Sequence, residues 1–180
     1  MDIEKIKAKV DVPFIHFVLP NFSDYRKDII DSIEKEAVPN SFEKNFTNSL
    51  RTPWHIIKYD SIKWLADQVT GAIGQYDNCK EGSLVCNEIW GIISQSKTNY
   101  RSHNHYPATW SAVIYIDCPE GSGSTVWPAV DKKVKPTDGH VCIFPGWLNH
   151  YVEPTSDNTR RIIVSCNVYS RKQVQWAKVY

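Results

Sequence analysis

No run of this sequence approaches the roughly 20 apolar residues that a membrane span requires. The charged opening Met1-Asp2-Ile3-Glu4-Lys5 lacks the apolar core of a secretory leader. No C-x-x-C pair occurs either: Cys79, Cys86, Cys118, Cys142 and Cys166 are widely spaced and odd in number. Their arrangement argues against a zinc ribbon or a disulfide framework and favours a reducing compartment, so a soluble, cytoplasmic protein is expected. Charge of one sign is also missing. Lys and Arg total 21 against 20 Asp and Glu, a net charge of +1, which offers no electrostatic reason to expect nucleic acid or an anionic membrane as partner. Internal repeats, low-complexity tracts and Gly/Ser linkers are absent too. What remains is an ordinary globular composition, 42% hydrophobic and 23% charged over 180 residues, read as a single domain spanning residues 1–180.

The periodicity changes character once, near residue 80. Before it, Val12 to Leu19 reads as a short strand stopped by Pro20. Ser23 offers an N-cap to a helix in which Tyr25, Ile29, Ile30 and Ile33 recur at helical spacing to about Ala37. Pro39 to Pro53 is polar and irregular. A second helix starts at Ser61, with Ile62, Leu65, Val69, Ile73 and Tyr76 forming an apolar stripe suited to packing on a sheet. After residue 80 the period shortens to two. Strands are expected at Val85 to Ser94, Trp110 to Asp117, Ser124 to Trp127, His140 to Phe144 and Arg160 to Tyr169. Turns are expected at Lys97-Thr98-Asn99, Pro119 to Gly123 and Thr137-Asp138-Gly139, with a loop from Val130 to Pro136. Short strands without intervening helices predict a mainly β (α+β) fold: a double-stranded β-helix, or cupin-like jelly-roll, at 85–170. The helical segment 1–80 would support it on one face.

Chemistry concentrates in the β-rich part. His103 and His105 form an H-x-H pair; on an extended segment both imidazoles point to one side. His150 follows the Pro145-Gly146 strand stop and meets the same point if the two strands face each other. Three imidazoles suit a transition metal and leave open positions for water or substrate. His16, His55 and His140 lack such partners and read as structural or solvent-facing. Arg160 and Arg161 open an otherwise apolar strand and must point to opposite faces, so one can look inward and the other serves a surface ion pair. A buried guanidinium needs an anionic partner, and its planar fork matches a carboxylate. Trp90, Trp110, Trp127 and Trp147 lie near these residues in sequence and read mostly as core.

The series Ile89-Trp90, Asn99 to His105, Ser111 to Tyr115, Gly139-His-Val-Cys-Ile-Phe-Pro-Gly-Trp-Leu-Asn-His150 and Arg161 to Asn167 resembles the 2-oxoglutarate- and iron(II)-dependent oxygenases. It is most similar to a small H-x-H branch found in bacteriophages and bacteria; for a viral source the compartment would be the host cytoplasm. The resemblance covers roughly residues 85 to 170. It implies His103 as first metal ligand, His150 as distal ligand, and Arg161, ahead of Arg160, as the group that binds the far carboxylate of 2-oxoglutarate. The implied cofactors are Fe(II), 2-oxoglutarate and O2, and the implied activity is hydroxylation coupled to decarboxylation of 2-oxoglutarate to succinate.

Two departures from the family pattern stand out. His105 occupies the position of the usual carboxylate ligand, so either it replaces the carboxylate or two histidines hold the metal with water in the gap. The family's R-x-S pair reads Arg161-Ile162-Ile163, so a hydroxyl partner for the co-substrate comes from elsewhere, with Tyr115 and Ser111 as candidates. Asp117, the next acid downstream, is not expected to ligate. Two other readings compete: a three-histidine cupin-like metalloenzyme that does not use 2-oxoglutarate, and a jelly-roll binding module without enzymatic activity. A small molecule or a protein side chain remains the expected substrate; oligomeric state has no signature here.

Overall fold

Helices of 15 to 17 residues are marginal alone in water and are held chiefly by the apolar face they bury. The two long helices among the described residues follow that rule. The computed structural model describes residues 10–40, 49–80, 82–98 and 100–172. Helix α1 (Phe22–Glu36) buries Ile29, Ser32 and Ile33, and α2 (Asp60–Tyr76) buries Ile62, Leu65, Ala66, Val69 and Ile73. Tyr76 is exposed, so the apolar stripe of α2 ends at Ile73. Ser23 is not the N-cap. The helix starts one residue earlier, after Asn21 at φ 52°, and the Ser23 hydroxyl donates to Asp24 Oδ1 instead. Asparagine tolerates that left-handed turn, which brings the chain into α1 directly from Pro20.

The strands are β1 (Ile15–Val18), β2 (Val38–Pro39), β3 (Ser49–Arg51), β4 (Leu84–Ser94), β5 (Tyr100–His103), β6 (Trp110–Asp117), β7 (Thr125–Trp127), β8 (Lys132–Val134), β9 (His140–Pro145), β10 (His150–Val152) and β11 (Arg161–Ser170). They form a seven-stranded sheet in the order β1-β9-β6-β11-β4-β3-β2 and a four-stranded sheet in the order β5-β10-β7-β8, every strand pair antiparallel. Two facing antiparallel sheets in this order make a jelly-roll, the double-stranded β-helix expected from the sequence. The segment from Pro39 to Pro53 contributes β2 and β3 and so is not wholly irregular; residues 41–48 of it lie outside the described residues, as does Asn99 of one expected turn. Val130 to Pro136 contains β8, because Thr125 to Trp127 offers it a free edge to pair with.

The large sheet separates two apolar clusters. On its outer face Ile89, Ile93, Ile114, Ile143, Ile162 and Val164 pack beneath the helices. Gly91 lets α1 sit close: a Cβ there would lie 2.6 Å from Ile33 Cγ1. On the inner face Val113, Tyr115, Cys142, Phe144 and Ile163 meet Trp127 and Val134 of the small sheet. No helix among the described residues is long and apolar enough to cross a membrane.

Candidate metal centre

Pairing of β5 with β10 sets His103 directly opposite His150 in the register. His105 lies past the end of β5, in the loop that leads to β6. Its backbone N–H donates to the Gly146 carbonyl at 2.7 Å, and the Gly146 N–H donates to the Thr109 carbonyl at 3.1 Å. A Cβ at position 146 would lie 2.2 Å from the Ala108 carbonyl oxygen, so only glycine allows this approach of the two loops. The Asn104 amide donates to Asn149 Oδ1 at 2.9 Å and ties the same loops at the rim.

The three imidazoles therefore converge. Ring centroids lie 4.4 Å apart for His103 and His150, 5.3 Å for His103 and His105, and 5.2 Å for His105 and His150. One nitrogen of each falls within 4.8 Å of the others, so small side-chain rotations bring all three to bonding distance of one ion, about 2.1 Å. His103 Nδ1 donates to the Arg101 carbonyl at 2.7 Å and His150 Nδ1 to the Leu148 carbonyl at 3.3 Å. A carbonyl only accepts, so these bonds place the proton on Nδ1 and leave Nε2 with its lone pair. Burial, reinforced by the charges of His103 and Arg51, lowers the His105 imidazole to about 4. Burial and the other two histidines hold His150 well below its ordinary value. Neutral imidazoles are the form that binds metal.

These histidines line a cavity of about 230 Å³ between the sheets. At its deep end Arg161, the first residue of β11, is 0% exposed. Its Nε, Nη1 and Nη2 are all buried without a hydrogen-bond partner. Tyr115 lies beside it, with the guanidinium carbon 5.7 Å from the ring centre. The Cys118 thiol is pushed up to about 11 by burial, against the pull of Arg161. A buried guanidinium left with all three nitrogens orphaned costs several kcal/mol. That cost is offset once a carboxylate enters, and the planar fork suits one.

The structure separates the remaining sequence candidates. Arg160 points away from the cavity and forms ion pairs with Glu34 and, at 3.7 Å, Asp117, because neighbouring residues on a strand face opposite sides. Asp117 also accepts from Arg26 at 2.6 Å and is remote from the histidines. Tyr115 stays near Arg161 but donates its hydroxyl to Thr125 Oγ1 at 2.8 Å. Ser111 does not join them. It sits opposite Asn167, to which its hydroxyl donates at 2.7 Å, at the far end of the pairing with β11 from Arg161. Of the tryptophans, Trp90 lines the cavity, Trp110 and Trp127 are buried, and Trp147 is exposed. His16 is not alone: its Nε2 lies 3.2 Å from His140 Nδ1 across β1 and β9.

Sequence reasoning missed Tyr100, Ser94, Asn40 and Arg51. The Tyr100 and Ser94 hydroxyls lie 2.9 Å apart, and Ser94 is the register partner of Arg161. They supply hydroxyls at the position where Tyr115 and Ser111 were sought. The only signal was that Tyr100 shares the short strand with His103. Arg51 and Asn40 line the cavity from the β2–β3 segment, which carries no motif.

No family model and no curated protein matches this sequence. Solved structures do. The viral collagen prolyl hydroxylase from Paramecium bursaria Chlorella virus-1, in its 2-oxoglutarate complex, is 14% identical with TM-score 0.67, covering 87% of this chain and 95% of that one. HygX from Streptomyces hygroscopicus, with nickel and 2-oxoglutarate bound, is 13% identical with TM-score 0.67, covering 89% and 84%. An oxidoreductase of the 2OG-Fe(II) oxygenase family from Burkholderia pseudomallei is 12% identical with TM-score 0.65, covering 86% and 84%. At these identities the likeness is one of fold: this chain shares its jelly-roll with a 2OG-Fe(II) oxygenase and a prolyl hydroxylase.

Proposed function

We propose that this protein is a 2-oxoglutarate- and iron(II)-dependent oxygenase that hydroxylates a small molecule or a protein side chain. One observation carries the reading: a triad of convergent imidazoles and a fully buried, orphaned guanidinium line the same cavity. Either feature alone has other uses. Together they match a co-substrate that chelates a metal at one end and carries a carboxylate at the other. The complexes of two proteins of the same fold with 2-oxoglutarate, one also holding nickel, support it.

When bound, iron(II), 2-oxoglutarate and dioxygen supply oxidative decarboxylation to succinate and carbon dioxide, coupled to hydroxylation of a substrate C–H bond. The chain's own residues bind, orient and exclude water. His103, His105 and His150 hold the metal through nitrogens whose tautomers the Arg101 and Leu148 carbonyls set for the first and last. With three histidines the site lacks a charged ligand, which leaves more of the metal's positive charge for the bound co-substrate. Arg161 takes the far carboxylate, with the Tyr100 and Ser94 hydroxyls beside it. Phe144, Val113 and Ile163 keep the wall between the two ends dry.

The test is an anaerobic titration of the purified protein with iron(II) and then 2-oxoglutarate, read by the weak visible metal-to-ligand charge-transfer band. The band is expected in the native protein, absent in His150→Ala and weakened in Arg161→Ala. Iron binding without any band on adding 2-oxoglutarate would favour a three-histidine metalloenzyme that does not use this co-substrate.

A further inference from the structure

The inner face of the large sheet continues past the histidines. Beyond Trp90 and Ser165, which line the cavity, β4 and β11 carry a further paired row on that face, Glu88 opposite Asn167. Ser111 of β6 stands opposite Asn167 on its other side. The row lies two residues, about 7 Å, along the strand from Trp90. The Trp90 and His105 ring centres are 5.9 Å apart. The loop that carries His105 also reaches this end of the sheet, where the Thr109 N–H donates to the Val168 carbonyl at 3.1 Å. Glu88 therefore stands at the outer end of the wall that leads to the three histidines, on the side away from Arg161.

Donors on β11 hold the Glu88 carboxylate. The Ser111 hydroxyl donates to Asn167 Oδ1 at 2.7 Å, and Asn167 Nδ2 donates to Glu88 Oε2 at 2.5 Å. The Tyr169 hydroxyl donates to the same oxygen at 3.3 Å. Burial and the Glu88 charge push the Tyr169 phenol up to about 12, which keeps it a donor. Ser111 and Asn167 are 1% and 4% exposed, whereas Glu88 is half-buried. Both bonds to the carboxylate end on Oε2. Its Oε1 takes no hydrogen bond and is not among the buried orphaned atoms, so it stays open to a ligand. No Lys, Arg or His among the described residues forms an ion pair with Glu88. A buried polar row gains little stability over apolar residues of the same shape. A carboxylate fixed in this way without a counterion is built to receive a charged donor.

We propose that Glu88, held by Asn167 and Tyr169, is the specificity-determining residue for a substrate that carries an ammonium or guanidinium group. The inference rests on the function proposed above, in which the co-substrate lies between the histidines and Arg161 and the substrate approaches from the opposite side. A cation on Oε1 anchors one end of the substrate and lays its carbon chain along Trp90, toward the histidines. The amine of a small molecule and the basic side chain of a polypeptide share this chemistry.

Two matched pairs of probes test it: phenethylamine with 2-phenylethanol, and an end-blocked glycine-lysine-glycine peptide with its norleucine counterpart. Each is titrated calorimetrically into the full chain, metal-free and again loaded anaerobically with iron(II) and 2-oxoglutarate. In at least one pair the cation is expected to bind at least about tenfold more tightly than its neutral partner. The pair with the larger ratio identifies a small amine or a polypeptide as the source. Glu88→Gln keeps a hydrogen-bond acceptor and removes the charge, so it should erase the preference and leave the urea midpoint and the 2-oxoglutarate band in place. Asn167→Ala leaves the charge but lets it swing; it should lower the preference in part, and it serves as the test if Glu88→Gln does not fold. Glu153→Gln, which removes an acid paired with Lys133, should change nothing. The proposal is overturned by no preference in either pair, by a preference that survives Glu88→Gln, or by an equal loss in Glu153→Gln. A preference that Glu88→Gln erases, in a chain that gives no 2-oxoglutarate band, counts against the co-substrate reading alone. A normal band without any preference counts against this inference alone.

Discussion

Along β11, Ile162, Val164, Cys166 and Val168 turn toward the helices, while Arg161, Ile163, Ser165 and Asn167 turn the other way. All eight are buried or at its limit, yet the two sets obey different rules. The outer set is apolar without exception and contributes through area and fit, about 1.5–3 kcal/mol for each fully buried large side chain. The inner set interleaves one apolar residue with a cation, a hydroxyl and an amide, and it begins with a charge that the fold alone leaves unsatisfied. The same contrast appears on β4, where Ile89 and Ile93 face the helices while Trp90 and Ser94 face the cavity side. A single sheet thus holds the molecule together with one face and works with the other, because strand alternation keeps the two from interfering.

Adjacent residues make the sharpest test of this division, since Ile162 and Arg161 are both 0% exposed. Ile162→Ala should cost about 2–5 kcal/mol in denaturant unfolding and leave the 2-oxoglutarate band per folded molecule intact. Arg161→Met should do the opposite. It should abolish co-substrate binding while the metal-free chain keeps its stability or gains up to about 1–3 kcal/mol, since an orphaned buried charge is exchanged for an apolar side chain of similar length. A clear loss of stability in Arg161→Met would break the comparison by showing that the inner face also holds the fold together.

The smallest effect is expected at the sheet's edge, where His16 on β1 meets His140 on β9. Burial, His140 and Lys132 lower the His16 pKa below its ordinary value of 6.5. The unfolded chain then binds the proton first. Stability should be flat above that pH and should decline as pH falls below it toward the lowered value. Urea midpoints at pH 7.5 and 5.5 would measure the decline, to which the lowered His105 and His150 contribute as well, and His16→Gln should remove only the His16 share. A decline of the same size in His16→Gln would place the pH-sensitive group elsewhere.

How much of this was legible beforehand depended on whether local chemistry or a distant partner decides each feature. The two helices and the long strands β4, β6, β9 and β11 were readable because their own periodicity marks the face that they bury. The short strands β5, β8 and β10 were not. Each of these three is only three or four residues long and exists because a neighbouring strand offers it an edge. Ser23 looked like a cap, yet the Asn21 turn had already started the helix.

The site divides in the same way. The amino-acid sequence by itself determined the residue types, three histidines and an arginine pair, and the rule that only one arginine of the pair can look inward. Strand stereochemistry requires that much in any fold. Which hydroxyls stand beside Arg161, that Ser111 is too far along the strand to be one of them, and that Arg51 enters from a segment without a motif were decided by tertiary structure alone. Those facts depend on register and sheet order, and both are set by the summed packing of strands remote from one another in the chain.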